Sequence, residues 1–278
     1  MNYKEALENA NKLFLENNIE NYFYETRELL AFLLNKSKEW VMVNLYEELL
    51  PEEKVKFDEL INSRLNGTPL QYILGYQYFF GNKFWVNPSV LIPRADTEIL
   101  IYEALNRVKD INNIKILDMC TGSGCIAITL AKAIIGSNVC AVDIDEKALD
   151  VAKENNKLNK TNVTFYKSNL FTEISLTEFD MIVSNPPYIS SSEMRSLEKD
   201  VLNEPKLALF GGDDGLYFYR AISQKARMFL KEEGYLIFEI GYNQKAEVSK
   251  ILEENNYYNI EAIKDYSGND RVVIARKQ

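Results

Sequence analysis

Apolar residues recur with helical spacing over the first part of the chain. Tyr3, Ala6, Leu7 and Ala10 stand at positions i, i+3, i+4 and i+7, so they share one face of a helix. The same reasoning predicts further helices at residues 29–34, 40–45 and 51–66. Pro51 and the acidic residues after it are typical of a helix start, and Gly67 is a stop signal.

The pattern changes at Pro69. Residues 69–92 are rich in aromatic and β-branched residues, and Gly81-Asn82 suits a tight turn, so we predict a β-hairpin linker there. Asp96 or Thr97 can cap the helix that follows.

Short apolar strands alternate with amphipathic helices after residue 113. Strands are predicted at residues 114–119, 139–142, 163–167, 181–184, 235–240 and 272–275. Helices are predicted at residues 126–135, 146–158, 221–230 and 246–252. This alternation indicates βαβ units and a mostly parallel sheet.

Composition indicates a folded chain with a packed core, and charge disfavours a nucleic-acid partner. The 278 residues are 46% apolar, enough for a packed core, and carry a net charge of −9. Residues 1–80 hold 8 Lys or Arg against 13 Asp or Glu, a balance of −5, which suits a protein partner better than a phosphate backbone.

The chain has no histidine. Catalysis by a histidine base, catalysis by a serine–histidine or cysteine–histidine pair, and metal binding by histidine are therefore excluded. Its three cysteines, which show neither disulfide nor zinc spacing, are expected to be reduced.

The first motif with chemical content is a glycine-rich turn between a strand and a helix. Its glycines, Gly122 and Gly124, let the backbone approach a ligand, and the helix start offers free N–H groups. The alternative is a tight turn without a ligand.

Asp143 ends the next strand, 19 residues after Gly124, where an acid can accept hydrogen bonds from ribose hydroxyls. The alternative there is that Asp143 or Asp145 only caps a helix, and the two motifs together leave open a nicotinamide cofactor or S-adenosylmethionine.

The sequence Asn185-Pro186-Pro187-Tyr188 follows a predicted strand. The prolines fix the backbone and supply carbonyls without N–H groups, so Asn185 and a carbonyl can accept both hydrogens of a planar amino group. Tyr188 can stack on the attached π-system. A hydride-transfer site has no evident need of this arrangement, so the motif favours S-adenosylmethionine over a nicotinamide.

With these motifs in this order, the chain resembles the protein-(glutamine-N5) methyltransferases of peptide chain release factors, the PrmC/HemK family. The resemblance also rests on residues 90–98 (VLIPRADTE), Glu204-Pro205 and residues 265–272 (DYSGNDRV). It implies a class I S-adenosylmethionine-dependent methyltransferase, with a Rossmann-like, mostly parallel seven-stranded sheet after a small helical domain. The expected domains are a substrate-recognition domain (1–68), the hairpin linker (69–92) and a catalytic domain (93–278).

The resemblance also implies roles for single residues. The cofactor would be held by Cys120, Thr121, Gly122, Ser123, Gly124, Asp143, Asn169, Leu170 and Asn185. Catalysis would fall to Asn185, Pro186 and Tyr188, and with Pro187 these would bind the substrate amide. Thr97 and Glu98 would close over the cofactor, unless they only cap a helix. The chain departs from the family pattern at Cys120, usually Gly, and at Asn169, usually Asp.

The reaction expected from this resemblance is methyl transfer from S-adenosylmethionine to the glutamine of the Gly-Gly-Gln motif of class 1 release factors, leaving S-adenosylhomocysteine. No metal, nucleic-acid or membrane partner is expected, and the protein is expected to be a cytoplasmic monomer. A nucleic-acid amino-group methyltransferase, for example one acting on adenine N6, would use the same Asn-Pro-Pro-Tyr pocket and is the alternative. A dehydrogenase and an inactive adaptor of translation factors are weaker alternatives.

Overall fold

The computed structural model describes residues 1–109 and 113–278, which divide into two units. The first unit consists of Met1–Gly75 together with Lys199–Asn203. The second consists of Tyr76–Glu198 and Glu204–Gln278. A short segment far along the sequence therefore belongs to the same unit as the amino-terminal helices.

The first unit is helical. Its helices are α1 (Tyr3–Glu16), α2 (Tyr22–Leu34), α3 (Lys38–Val43), α4 (Pro51–Leu65), α5 (Leu70–Leu74) and, from the distant segment, Lys199–Leu202. Helix α1 begins with a capping box, since the side chain of Asn2 accepts from Glu5 N and that of Glu5 accepts from Asn2 N. Buried Arg64 donates through Nε to Glu25 Oε2 at 2.6 Å and lies 2.7 Å from Asp200 Oδ2. This pairing compensates the buried charges and ties the distant segment to α4.

The second unit begins with a hairpin of strands β1 (Tyr76–Phe79) and β2 (Asn82–Trp85). Phe80 and Gly81 occupy the turn with φ of 48° and 71°, so the turn lies one residue before the predicted Gly81-Asn82. The amide of Phe80 donates to Glu98 Oε1 at 2.7 Å, which holds this strained residue in place.

The main sheet of this unit has seven strands in the order β5-β4-β3-β6-β7-β9-β8. Its strands are β3 (Lys115–Met119), β4 (Asn138–Asp143), β5 (Thr164–Lys167), β6 (Phe179–Ser184), β7 (Leu230–Glu239), β8 (Tyr257–Lys264) and β9 (Asp270–Lys277). The pairs are parallel except those that β9 makes with β7 and β8. The predicted α/β class with a mostly parallel seven-stranded sheet is confirmed.

Helices cover both faces of this sheet. They are α6 (Thr97–Arg107), α7 (Cys125–Ala133), α8 (Glu146–Asn159), α9 (Lys206–Leu209), α10 (Tyr217–Ala226) and α11 (Lys245–Glu254). Neighbouring strand residues point to opposite faces, so Ile116 packs into one apolar cluster and Leu117 into the other. Both clusters are buried, which explains why the central strands are mostly apolar.

Three segments differ from the sequence prediction. Residues 70–74 are helical, because Gly75 in the left-handed region ends one turn of helix before the hairpin begins. Helix α10 covers residues 217–226 and not 221–230, because Leu230 already pairs with Phe179 of β6. Strand β8 was not predicted; it lies at the sheet edge and contains a bulge between Tyr258 and Glu261 that disturbs its alternation.

Within the described ranges, none of the helices combines the length and apolar character needed to cross a membrane.

Candidate functional site

The glycine-rich loop connects the end of β3 to the start of α7. Thr121 N donates to Val142 O and Gly124 N donates to Thr121 O, each at 2.9 Å. Buried Asp118 lies under the loop, and its Oδ2 accepts from Thr121 Oγ1 at 2.6 Å and from Ala127 N at 3.2 Å. Burial raises the pKa of Asp118 to about 7. The carboxyl group therefore fixes both the loop and the first turn of the helix.

The two glycines of the loop have different surroundings. A Cβ added to Gly122, whose φ is 54°, would meet no atom within 4 Å, so the loop borders open space there. A Cβ added to Gly124, whose φ is 81°, would lie 2.9 Å from Ile128 Cδ1 and 3.1 Å from the Cβ of Ala152. Gly122 therefore leaves room for a ligand, whereas Gly124 allows α7 and α8 to pack closely.

Cys120 departs from the resembled family's usual glycine, yet it keeps a conformation that glycine favours. Its φ is 64°, in the left-handed region. Cys120, Cys125 and Cys140 are all free thiols. Burial raises the pKa of Cys125 to about 12 and that of Cys120 higher still, so neither is a nucleophile near neutral pH.

Asp143 at the end of β4 is tied to the same loop. Its Oδ2 accepts from Gly122 N at 2.8 Å and its Oδ1 from Asp145 N at 3.0 Å. Burial raises the pKa of Asp143, while the backbone hydrogen bonds act in the opposite direction. The cap of α8 is Asp145, whose side chain accepts from Lys147 N, so Asp143 is not the helix cap.

The next strand, β5, leads to Asn169 and Leu170. Ser168 N donates to Asp143 O at 3.0 Å, which places this turn beside the end of β4. Leu170 has a φ of 53°, and its carbonyl accepts from Ser168 Oγ at 2.8 Å. The backbone here is therefore held in an unusual conformation by a local side chain.

The Asn-Pro-Pro-Tyr segment follows β6. Asn185 Nδ2 donates to Thr97 Oγ1 at 3.3 Å, and the carbonyl of Tyr188 accepts from Gln244 Nε2 at 2.9 Å. Burial raises the pKa of the Tyr188 hydroxyl above its ordinary value. Gly211 packs against this segment, since an added Cβ would lie 2.7 Å from Pro187 O. The motif is thus a rigid segment held by buried neighbours.

One cavity of about 280 Å³ joins these elements. It is lined by eight of the predicted cofactor-binding residues: Cys120, Thr121, Gly122, Ser123, Asp143, Asn169, Leu170 and Asn185. Pro187 and Thr97 also line it. Among the described residues, Gly124, Pro186 and Tyr188 stand outside this lining, and Glu98 turns to the hairpin.

Several residues of the site were missed as candidates. Buried Glu204 accepts from Ile92 N at 2.9 Å and pairs with Arg94, which lines the cavity. Glu239 at the end of β7 is 1% exposed, and burial raises its pKa to about 7. The segments around Arg94 and Glu204 contribute to the family resemblance, but the sequence assigns neither residue a role. Nothing in the sequence around Glu239 distinguished it.

Two family models, several protein sequences and a solved structure are similar to this chain. The Methyltransferase small domain family matches residues 96–214, and the PrmC N-terminal domain family matches residues 5–75. A release factor glutamine methyltransferase of Fusobacterium nucleatum is 44% identical over 94% of this chain and 75% of that protein. One of Bacillus cereus is 36% identical over the full length of both chains (100% of each). A methyltransferase structure from Pyrococcus furiosus shares the fold, with a TM-score of 0.55, 21% identity, and coverage of 72% of this chain and 90% of that one.

Proposed function

The chain belongs to the release factor glutamine methyltransferase family, and from this premise we propose the reaction that its cavity carries out. It transfers a methyl group from S-adenosylmethionine to the side-chain amide nitrogen of a glutamine in release factors. The glutamine is the one in the Gly-Gly-Gln motif of class 1 factors. The observation that carries the proposal is that Asn185 lines the same cavity as the glycine-rich loop and Asp143.

The residues of the cavity fit S-adenosylmethionine. Gly122 borders open space, which suits the methionine portion of the ligand. Each oxygen of Asp143 accepts one backbone N–H and keeps a lone pair for a ribose hydroxyl. Asn169 and Leu170 line the cavity beyond Asp143, where an adenine ring would lie. The volume of about 280 Å³ is close to the lower end of ligand pockets, about 300–1,000 Å³.

When bound there, S-adenosylmethionine supplies an electrophilic methyl group. The chain must then orient a weak nucleophile, an amide nitrogen with a delocalised lone pair. Because Asn185 Nδ2 donates to Thr97, Asn185 Oδ1 is available to accept an N–H of the substrate amide. The Pro186 carbonyl is the proposed second acceptor, and Tyr188 supports the motif. These acceptors stabilise positive charge on the attacking nitrogen, and one amide proton passes to the solvent after the nitrogen–methyl bond forms.

We also propose that the first unit recognises the release factor. It has a groove lined by Phe23, Arg27, Met42 and Val43 among others, and Val43 is 84% exposed. An acidic unit with exposed apolar side chains suits a protein surface better than a nucleic acid. We expect Val43→Ser to raise the KM for release factor while kcat stays unchanged, because the substitution weakens binding alone.

The direct test is methylation of a purified release factor in the presence of S-adenosylmethionine. Mass spectrometry should locate one methyl group on the glutamine of the Gly-Gly-Gln motif. A release factor in which that glutamine is replaced by glutamate is the matched control and should remain unmodified. Asn185→Ala should slow single-turnover transfer by about 10²–10³ fold, since it removes an acceptor aimed at developing charge. Methylation of nucleic acid with no methylation of release factor would contradict the proposal.

We further propose that the enzyme acts as a monomer in the cytoplasm, where translation takes place. Light scattering after size exclusion should give a mass near the 32.1 kDa of one chain. A dimer mass at the same concentrations would contradict this part of the proposal.

A further inference from the structure

We propose that Gln244 is a positioning residue for methyl transfer, which holds the Tyr188 carbonyl and thereby fixes the proposed acceptors of the substrate amide. Those acceptors are Asn185 Oδ1 and the Pro186 carbonyl. The inference rests on the proposed function and assigns a role to a buried amide directly before α11. Gln244 stands outside the cavity lining, so it acts through the main chain of the Asn-Pro-Pro-Tyr segment.

The two prolines make the position of this segment depend on its ends. Proline has no N–H, so neither of them can donate a main-chain hydrogen bond. At one end, Asn185 follows β6, and its Nδ2 donates to Thr97 Oγ1 at 3.3 Å. At the other end, Gln244 Nε2 donates to the Tyr188 carbonyl at 2.9 Å. Over the described ranges 1–109 and 113–278, no other hydrogen bond is made to a main-chain oxygen of residues 186–188.

The Gln244 amide has one orientation because its oxygen is also in use. The main-chain N–H of Gly241 donates to Gln244 Oε1 at 3.0 Å, and the hydroxyl of Tyr219 donates to the same oxygen at 3.2 Å. A main-chain N–H can only donate, so the NH2 group of Gln244 points away from it, towards the carbonyls of Tyr188 and Gly215. Gln244 is 7% exposed, so reversing its amide would leave unfavourable contacts in a buried site.

Gln244 also connects the segment to a second wall of the cavity. Its Nε2 donates to the Gly215 carbonyl at 3.3 Å as well. Glycines of this second wall pack directly on the segment: a Cβ added to Gly211 would lie 2.7 Å from Tyr188 Cα, and one added to Gly215 would overlap the Tyr188 carbonyl. Tyr217, two residues further along the chain, lines the cavity. One amide group therefore fixes the Tyr188 main chain against the wall that carries Tyr217.

Loss of these hydrogen bonds should slow methyl transfer without weakening the binding of release factor. One rigid proline separates Pro186 from Tyr188, so a displacement of the Tyr188 carbonyl also moves the Pro186 carbonyl. The acceptors act on the charge that develops on the attacking nitrogen, whereas the binding of release factor is assigned to the first unit. We therefore expect a change at Gln244 to lower kcat and to leave the KM for release factor near its wild-type value.

The kinetic test is Gln244→Glu, which keeps the length of the side chain and an oxygen for Gly241 N but replaces the NH2 group with an acceptor. Single-turnover methylation of release factor at saturating S-adenosylmethionine should slow by about 10-fold or more, because small misplacement of reacting groups is costly. The release factor concentration that gives half the maximal rate should stay near its wild-type value. In the Asn185→Ala background the same substitution should slow transfer by a smaller factor, since one of the two acceptors is then absent.

Asn255→Asp is the matched control. Asn255 Nδ2 donates to Ile251 O at 2.8 Å at the carboxyl end of α11, so this variant also loses an amide hydrogen bond to a main-chain carbonyl, away from the cavity. It should leave the rate unchanged. If circular dichroism shows that Gln244→Glu is unfolded at the assay temperature, Gln244→Met, which brings no charge next to the two carbonyls, takes its place and should slow transfer likewise. Loss of folding in both variants would contradict a role limited to positioning.

A second measurement does not depend on activity. The side-chain NH2 signals of Asn185, identified in nitrogen-15 spectra by their loss in Asn185→Ala, should shift in Gln244→Glu because the segment moves. They should keep their wild-type positions in Asn255→Asp. Unchanged Asn185 signals in Gln244→Glu would contradict the positioning role.

The outcomes separate the inference from the function it rests on. A wild-type chain that methylates no release factor contradicts the proposed function, and the NMR measurement still tests whether Gln244 positions Asn185. An active wild type with an equally active Gln244→Glu contradicts only the positioning role. A higher half-saturating concentration of release factor with an unchanged maximal rate also contradicts it, because Gln244 would then act on binding.

Discussion

Replacing Asp143 with alanine tests whether this carboxylate holds the loop as well as the ligand. Its two oxygens accept from Gly122 N at 2.8 Å and from Asp145 N at 3.0 Å. Hydrogen bonds to a charged group contribute about 1.5–3 kcal/mol each, and solvent can reach part of this site. We therefore expect Asp143→Ala to lower the free energy of unfolding of the free protein by about 2–4 kcal/mol.

Cofactor binding should weaken as well, through a separate loss. Missing ribose hydrogen bonds cost about 1–3 kcal/mol, or roughly 5- to 150-fold in the Kd of S-adenosylmethionine. Urea unfolding without ligand measures the first effect, and calorimetric titration measures the second. Asp143→Asn is the matched control: its oxygen can replace one acceptor, but its NH2 group would face the other backbone N–H. If Asp143→Ala unfolded at the wild-type urea concentration and lost only cofactor affinity, the loop-holding role would be refuted.

Three further predictions concern stability. Gly124→Ala should destabilise the protein by about 1–3 kcal/mol in urea unfolding, because its Cβ overlaps Ile128 Cδ1, whereas Gly122→Ala should mainly weaken cofactor binding measured by calorimetry. Burial raises the pKa of Asp118 from 3.8 to about 7, so the folded chain binds the carboxyl proton more tightly than the unfolded chain does. The protonated carboxyl group therefore adds to the free energy of unfolding below about pH 4, and this contribution is lost as the pH rises to 7. Asp118→Asn should reduce this decline in the free energy of unfolding between pH 4 and 7, and an unchanged pH profile would contradict it. Arg64→Ala leaves Glu25 buried without its partner and should cost about 3–5 kcal/mol in the same assay.

Most of the sheet could be predicted from the sequence because its central strands are buried on both faces. Such strands are short apolar runs, and helices with a clear apolar face separate them. Strand β8 escaped prediction because it lies at the edge, where the bulge at Asn259 and several polar residues remove the alternation. The helix predicted at residues 221–230 ends at Ala226, because residues 228–230 suit a helix or a strand equally well. Leu230 forms a strand because it pairs with Phe179 of β6.

The sequence could predict those residues of the candidate site that stand at the carboxyl ends of parallel strands. The glycine loop follows β3, Asp143 is the last residue of β4, and Asn169 and Asn185 come after β5 and β6. The carboxyl ends of parallel strands lie at one edge of the sheet, which brings these residues together. Contacts between distant segments were not predictable in this way. The packing of Gly124 against Ala152 and the pairing of Glu204 with Arg94 depend on tertiary structure that no local pattern encodes.

The charges around the cavity affect how tightly it binds S-adenosylmethionine relative to its product. The charged side chains in its lining, over the described residues, are Asp143, Asp145 and Arg94. Arg94 is paired with Glu204, so the unpaired charge next to the cavity is negative. A negative cavity favours a sulfonium cation over the thioether that remains after the methyl group has left, because the two ligands differ by one positive charge. We therefore expect S-adenosylmethionine to bind more tightly, relative to its product, in the wild type than in Asp145→Asn. Because charge alone produces this difference, it should shrink as ionic strength rises.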